Sequence, residues 1–343
     1  MRSKSLFTLL LILLFGGCNK EAPLYQDQFI AMGTVYELSV YDIGQQQGQE
    51  ISRLVQDDLK FMEFAWHAWK PGPLGRINQL LASGAEFSIN PSVMPLVIQS
   101  KQLYTSSQGL FNPAIGELVQ IWGFHTDDPS NTSPPDKHQV QKYMRDLPTM
   151  DDIEINGIRA QGHNPHIKLD FGGFAKGYAI EQILKHLQQQ GIENASLYAE
   201  GDLKAIGRHG SRPWRAAIRN PRHLGIIGTI DVKDGESLFT SGNYQDGEKR
   251  IHHILDPRTG HPVPAIASAT VIHDDAAVAD AAAMALFVAG PGRWWEIARS
   301  MGIRYVLLVD EDGLIHMNPG MAERVEFELP LLMKPKISSA LKH

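Results

Sequence analysis

Hydrophobic and polar positions follow short, changing periods along this chain. Between residues 33 and 41 (GTVYELSVY), Tyr36, Leu38 and Val40 alternate with polar neighbours, the period of a half-buried strand. Ile51, Leu54, Val55, Leu59 and Met62 then recur at helical spacing and predict an amphipathic helix. Asn90-Pro91 reads as a helix opening, with the helix running to the neighbourhood of Gly109. Residues 126–138 (TDDPSNTSPPDKH) are polar and proline-rich and read as an exposed loop. Ala175 to Gln190 places Ile180, Ile183, Leu184 and Leu187 on one face of a helix, with Gly191 as its stop. Strand patterns follow at 194–199, 214–219, 227–232 and 268–272. After them come an alanine-rich helix from Ala276 to Val288, a second helix near 292–301 and a strand at 304–309. Strands and helices do not alternate regularly, which points to an α+β fold rather than a doubly wound sheet.

The first residues break this pattern. Arg2 and Lys4 precede an apolar stretch from Leu6 to Phe15, interrupted by Thr8. Such a run is too short for the ~30 Å of a bilayer core and suits the apolar region of a secretory signal. It ends in Phe15-Gly16-Gly17-Cys18, and Cys18 is the one cysteine of the chain. Small residues before a cysteine resemble a bacterial lipobox, in which Cys18 is lipidated and becomes the new N-terminus; Phe15 stands where leucine is usual. An ordinary cleaved signal with a cysteine nearby has the same pattern. On the lipoprotein reading, residues 1–17 are the signal, 18–27 a tether, 28–330 one domain and 331–343 a C-terminal tail. The protein then sits on the periplasmic side of a bacterial membrane, held by its lipid. Asn19 gives no argument for retention at the inner membrane.

Composition narrows the chemistry. The 343 residues are 43% hydrophobic and 20% charged, as in ordinary globular proteins. The formal net charge is -6, which argues against nucleic acid as a partner. With one cysteine there is no internal disulfide and no thiolate zinc site. No GxGxxG opens a helix after a strand. The GxxxxG spacing of Gly172–Gly177 is followed by Tyr178-Ala179, not the Lys-Ser/Thr of a phosphate loop, and HExxH and GxSxG are absent. In Leu169–Ile183 (LDFGGFAKGYAIEQI), adjacent glycines before a helix would let the backbone approach a pyrophosphate, with Lys176 in the first turn. A plain strand-to-helix turn with a solvated lysine reads the same way. Asp280 interrupts an alanine-rich helix, where a buried carboxylate needs a partner such as a cation; an exposed helix-face aspartate is the simpler alternative.

These segments recur with AMGT (Ala31–Thr34), GRIN (Gly75–Asn78), FNPAIGELVQIWGF (Phe111–Phe124), EGDLKAIG (Glu200–Gly207), FTSGNYQ (Phe239–Gln245), HHILDPRTGHPV (His252–Val263) and the stretch Ser268–Gly290. In order and spacing the set resembles the FAD:protein FMN transferase (ApbE) family from about residue 28 to about 310. The resemblance implies a two-lobed single domain of mixed sheets and helices with the dinucleotide in a cleft. It implies transfer of FMN from FAD to a Thr or Ser hydroxyl of an acceptor subunit in a membrane redox complex. AMP is released, and the reaction depends on Mg2+. It matches Met32, Trp69, Asn78, Leu110, Phe111, Asn112, Asp170, Lys176 and Ile254 to FAD surroundings, and the Gly173 carbonyl and Asp280 to the metal. It also singles out His253 as the group that accepts the hydroxyl proton. Asp256-Pro257 and Thr259-Gly260 read first as turn chemistry.

The chain departs from that family at defined places. Met284 stands where a Thr magnesium ligand is usual, four residues after Asp280, and Ala283 lacks the oxygen some members carry. A thioether is soft and does not suit a hard cation. Water filling the shell, weak magnesium binding and reduced activity are all open outcomes. Pro73 and Gly75 replace a usual Glu and Ser, and Glu200 replaces a usual Gly and puts a carboxylate near the expected dinucleotide. Two alternatives to transfer therefore stand: hydrolysis of FAD, and flavin binding without catalysis.

Overall fold

A computed structural model describes residues 23–126, 133–242, 253–264, 266–328 and 334–341. The signal, Cys18 and most of the expected tether lie outside the described residues, as does His252. Strands β1 (Leu24–Ala31) and β2 (Thr34–Tyr41) open the chain, followed by helices α1 (Gln45–Trp66) and α2 (Pro73–Ser83). Next come β3 (Phe87–Ser88), α3 (Met94–Ser106), α4 (Gly116–Ile121), α5 (Lys137–Met144), β4 (Ile153–Asn156) and β5 (Arg159–Gly162). Helix α6 (Ala175–Gln189) precedes β6 (Ala195–Ala199), β7 (Asp202–Ile206), β8 (Trp214–Arg219), β9 (Ile226–Val232) and β10 (Ser237–Gly242). The chain ends with β11 (Leu255–Asp256), β12 (His261–Pro262), β13 (Ile266–His273), α7 (Ala276–Ser300), β14 (Tyr305–Asp310), β15 (Ile315–Met317), α8 (Pro319–Ala322), β16 (Val325–Phe327) and β17 (Lys336–Ile337).

The α+β expectation holds. Nine strands form one sheet in the order β1-β2-β6-β7-β10-β13-β14-β15-β17, antiparallel except for the last pair. Its central strands are covered on both faces. One core joins them to α6 and α7 through Ile180, Leu184, Leu286 and Phe287. A second core, with Leu203, Leu238, Ile272 and Leu307, joins their other face to the small sheet β16-β9-β8. Helix α7 breaks at Gly290 (φ 67°, ψ -178°), just before Pro291. The two helices expected at 276–288 and 292–301 are therefore consecutive rods of one element.

Three boundaries differ from the sequence reading. Residues 24–27, expected in the tether, begin β1, which pairs with β2 from Leu24 opposite Tyr41 to Ala31 opposite Thr34. Its LYQDQFIA sequence hides the strand because apolar Leu24 and Ile30 stand on the exposed face beside Gln26 and Gln28, while Tyr25 and Ala31 face the core, so the alternation is blurred. Helix α3 starts at Met94, not at Asn90. The Asn90 side chain accepts from Ser92 N at 2.9 Å and its carbonyl from Val93 N and Met94 N at 3.0 Å, so a turn precedes the helix. The C-terminal segment also returns to the body. β17 adds in parallel to β15, and Trp295 Nε1 donates to Ser339 O at 3.1 Å.

Candidate active site

The junction between Leu169 and α6 organises the site. Residues 110–116 run beside residues 168–170: Gly116 N donates to Lys168 O at 2.8 Å and Asp170 N to Pro113 O at 2.9 Å. Asn78 clamps the same segment from α2, its Nδ2 donating to Leu169 O at 3.0 Å and its Oδ1 accepting from Leu169 N at 2.7 Å. Asn112 is held alike, donating to Pro148 O and accepting from Ala114 N. Both amides expected near the flavin thus hydrogen-bond backbone groups. Asp170 Oδ1 accepts from Gly172 N at 2.9 Å and shapes the turn into Gly173. Burial raises the Asp170 carboxyl above the usual carboxylate range, against the Gly172 amide and the charges of His67 and Lys168.

This turn opens on a cavity of about 250 Å³ whose walls include Phe111, Asp170, Gly173, His253, Ile254 and Met284. Leu110 and Asn112 also line it. Eight positions singled out in the sequence therefore meet around one space. Ile254 is buried and its carbonyl accepts from Val263 N at 3.0 Å, which fixes the segment that carries His253 to the rim. The turn after it is held by Asp256, whose carbonyl accepts from Gly260 N at 2.8 Å and whose carboxylate pairs with Arg258, as turn chemistry predicts. Trp69 and Asn78 line a different and larger cavity, about 960 Å³, together with Lys70, Arg76 and Lys168. There Lys168 Nζ lies 3.9 Å from the centre of the Trp69 ring.

Behind Gly173, α6 crosses α7. Gly177 N donates to Asp280 Oδ2 at 2.9 Å, and Asp280 is 8% exposed. The exposed-aspartate alternative is thereby removed. Burial pushes the Asp280 carboxyl up to about 7, with the Lys176 charge and the Gly177 amide acting against it and Asp202 reinforcing it. Lys176 does not extend into solvent: it forms an ion pair with Asp202, the first residue of β7. Burial alone would depress its ammonium, but Asp202 and Asp280 hold it above its ordinary value. Tyr36 lies within this charge cluster, and its hydroxyl donates to Met32 Sδ at 3.6 Å. Met32 itself occupies the β1–β2 turn at φ 50°, its amide donating to Glu63 Oε2 at 3.0 Å.

Asp202 and Tyr36 were not singled out from the sequence. Asp202 stood inside the quoted EGDLKAIG segment, and its place directly after the Glu200-Gly201 turn is the signal that could have marked it. Met284 is where the sequence places it: a Cβ at Gly173 would lie 3.2 Å from the Met284 methyl carbon. The two groups that the resemblance assigns to a cation are the Gly173 carbonyl and the Asp280 carboxylate, whose Oδ2 accepts from Gly177 N. Among the described residues no group of three His, Cys, Asp or Glu side chains could hold a metal. Two hard oxygens fit an Mg2+ ion that keeps waters and shares substrate phosphates, which is the usual habit of that ion. They do not make a protein-only cage.

Residues 32–307 match the model of the ApbE family. The FAD:protein FMN transferase of Rhodobacter capsulatus is 39% identical over 309 residues, covering 89% of this chain and 59% of that protein, so the chain spans about three fifths of that relative. The protein of the same name from Klebsiella pneumoniae (strain 342) is 28% identical, over 82% of this chain and 83% of its own length. The crystal structure of the apbe protein from Thermotoga maritima superposes with a TM-score of 0.79 at 26% identity, covering 89% of this chain and all of that one. With the family's motifs gathered around one cavity and one helix crossing, the chain belongs to the ApbE family.

Proposed function

We propose that this protein transfers FMN from FAD to a Thr or Ser hydroxyl of an acceptor protein, with release of AMP and dependence on Mg2+. One observation carries the reading. The single junction of residues 170–177 presents Gly173 to the cavity that His253 borders and, one turn later, presents the Gly177 amide to Asp280. The curated relatives named FAD:protein FMN transferase support it.

The residues divide the work. Phe111 and Ile254 offer apolar walls for a planar ring, and Phe174 props Phe111 with ring centres 5.5 Å apart. The acceptor oxygen attacks the FMN-side phosphorus, the bond from that phosphorus to the AMP oxygen breaks, and the hydroxyl proton passes to His253. Lys176, in the first turn of α6, adds positive charge near the donor's phosphates. Gly173 and Asp280 would hold the magnesium, which when bound neutralises charge on the pyrophosphate. Incubation with FAD, Mg2+ and acceptor proteins from the same organism, followed by intact-mass analysis, should show an FMN adduct and free AMP. Absence of any adduct with folded protein and intact FAD sinks the reading.

A second reading, flavin binding without catalysis, is favoured by the Met284 thioether beside Gly173. It predicts FAD that stays whole with Mg2+ and acceptor present. Free FMN formed at a comparable rate without acceptor would instead identify a hydrolase. The Cys18 pattern further supports a lipid anchor on the periplasmic face, near a membrane redox complex that supplies the acceptor. Cys18→Ser should then release the protein from the membrane fraction; unchanged fractionation rejects the anchor.

A further inference from the structure

Two carboxylates and one ammonium meet where α6, α7 and the central sheet join. Asp202 is 2% exposed, and both of its oxygens are engaged: Oδ1 accepts from Thr240 N at 2.7 Å and Oδ2 binds Lys176. Thr240 is fixed in turn, its hydroxyl 3.0 Å from that of Thr270 on the next strand. A carboxylate this deep requires its counter-ion, and removing one member of such a pair leaves a buried charge. The same Lys176 ammonium also feels Asp280, which lies on the neighbouring helix and accepts from Gly177 N through Oδ2. Lys176 therefore has two anionic neighbours, and the one that holds it decides how free the other is.

We infer that Asp202 is a positioning residue for the proposed transfer: it holds the Lys176 ammonium on the β7 side of the helix crossing and so leaves Asp280 available to the magnesium ion. The inference rests on the transferase reading above. The backbone is built for this hold. Glu200 and Gly201 form the two-residue turn between β6 and β7 with φ of 50° and 102°, which sets Asp202 as the first paired residue of β7, opposite Ala199. Strand β10 supplies the Thr240 amide that keeps the carboxylate from rotating away. Without the Asp202 charge, Lys176 has Asp280 as its remaining acidic partner in the cluster. It then competes with the cation for that carboxylate.

The test measures the Mg2+ concentration that gives half-maximal FAD binding, read by quenching of flavin fluorescence, in wild type, D202N, K176M and the double variant K176M/D202N. Asn keeps the shape and can still accept from Thr240 N. For D202N the half-point should rise about tenfold, the equivalent of ~1.4 kcal/mol. In the Lys176→Met background the competing ammonium is gone, so adding D202N there should shift the half-point by less than about threefold relative to K176M alone, as expected for a coupled pair. A purely structural role for Asp202 would shift the half-point equally with and without Lys176. A D202N half-point within twofold of wild type, or a D202N shift that persists undiminished in the K176M background, overturns the inference. If D202N does not fold, D202S, which removes the charge and still offers an oxygen to the Thr240 amide, must shift the half-point in the same direction; no shift there is equally fatal. A wild-type protein whose FAD binding ignores Mg2+ removes the magnesium-dependent reading and this inference together, whereas a responsive wild type with indifferent variants removes the Asp202 role alone.

Discussion

Gly177 N and Asp280 Oδ2 are 2.9 Å apart because α6 and α7 touch at a position without a side chain. A Cβ at Gly177 would stand 2.3 Å from Ala276 O and 2.7 Å from Asp280 Cβ, both on rigid helix. Gly177→Ala should therefore force the helices apart, destabilise the protein by about 1–3 kcal/mol and displace Asp280 from its amide donor. Thermal unfolding and the Mg2+ dependence of FAD binding should both move. A variant with wild-type Tm and wild-type Mg2+ response would mean that the crossing tolerates separation.

Glu200 sits at φ 50° in the β6–β7 turn, where a left-handed backbone disfavours any residue with a Cβ. The site-end carboxylate noted in the sequence is thus also a conformational misfit, and a Gly there removes both. Glu200→Gly should stabilise the fold by about 0.5–1 kcal/mol, since the gain from relieved strain exceeds the added chain entropy. It should also tighten FAD binding at low salt by removing a negative charge. A fall in Tm would show that Glu200 makes a stabilising contact that outweighs its backbone strain.

The amphipathic elements were legible because each buries one face. Helix α6 shows it, with Ile180, Ile183, Leu184 and Leu187 buried, and so does β2 with its alternation. Strands β7 and β10 were not read, because both faces are covered and the alternation vanishes: all of Asp202–Ile206 is buried. For the site, motif spacing marked Gly173, His253 and Asp280, whose chemistry is local. Asp202 was passed over because its meaning depends on Lys176, distant in sequence and brought near by packing alone. Asn78 and Asn112 were marked by motif alone, and only the structure shows that each amide also binds backbone, because such hydrogen bonds leave no sequence signature.

The second core has its own charge pair, with a pH consequence. Burial works to raise the Glu236 carboxyl, but two hydrogen bonds from Arg324, at 2.7 and 2.9 Å, and the Lys233 amide hold it below its ordinary range. A carboxyl whose folded value is depressed contributes stability that is present above its unfolded pKa and lost as pH falls through the folded one. Unfolding midpoints of the wild type should thus decline below about pH 4.5, the ordinary glutamate region. Glu236→Gln should be less stable at pH 7 and show a flatter decline. Parallel wild-type and variant curves down to pH 3 would remove Glu236 from the acid response.

Met284 places a methyl carbon against Gly173 where an oxygen would serve a hard cation better. Met284→Thr should lower the Mg2+ concentration for half-maximal turnover by about tenfold, by adding one oxygen to a shell otherwise completed by water. The FAD KM at saturating Mg2+ should change little. An unchanged Mg2+ requirement would show that water already completes the shell and that the thioether is tolerated.

His253 stands on the rim of the cavity, with its segment pinned through the Ile254 carbonyl and the Asp256 turn. A group in that place can take a proton from an incoming hydroxyl. His253→Gln keeps a polar side chain of similar reach but removes the base. Transfer should fall by about 10²–10⁴-fold, the usual contribution of a positioned proton acceptor, while FAD affinity stays within a few fold. The split between binding and turnover is the informative quantity, because loss of a wall residue would weaken both together. Transfer within fivefold of wild type would reassign the proton to another acceptor and leave His253 with a structural role.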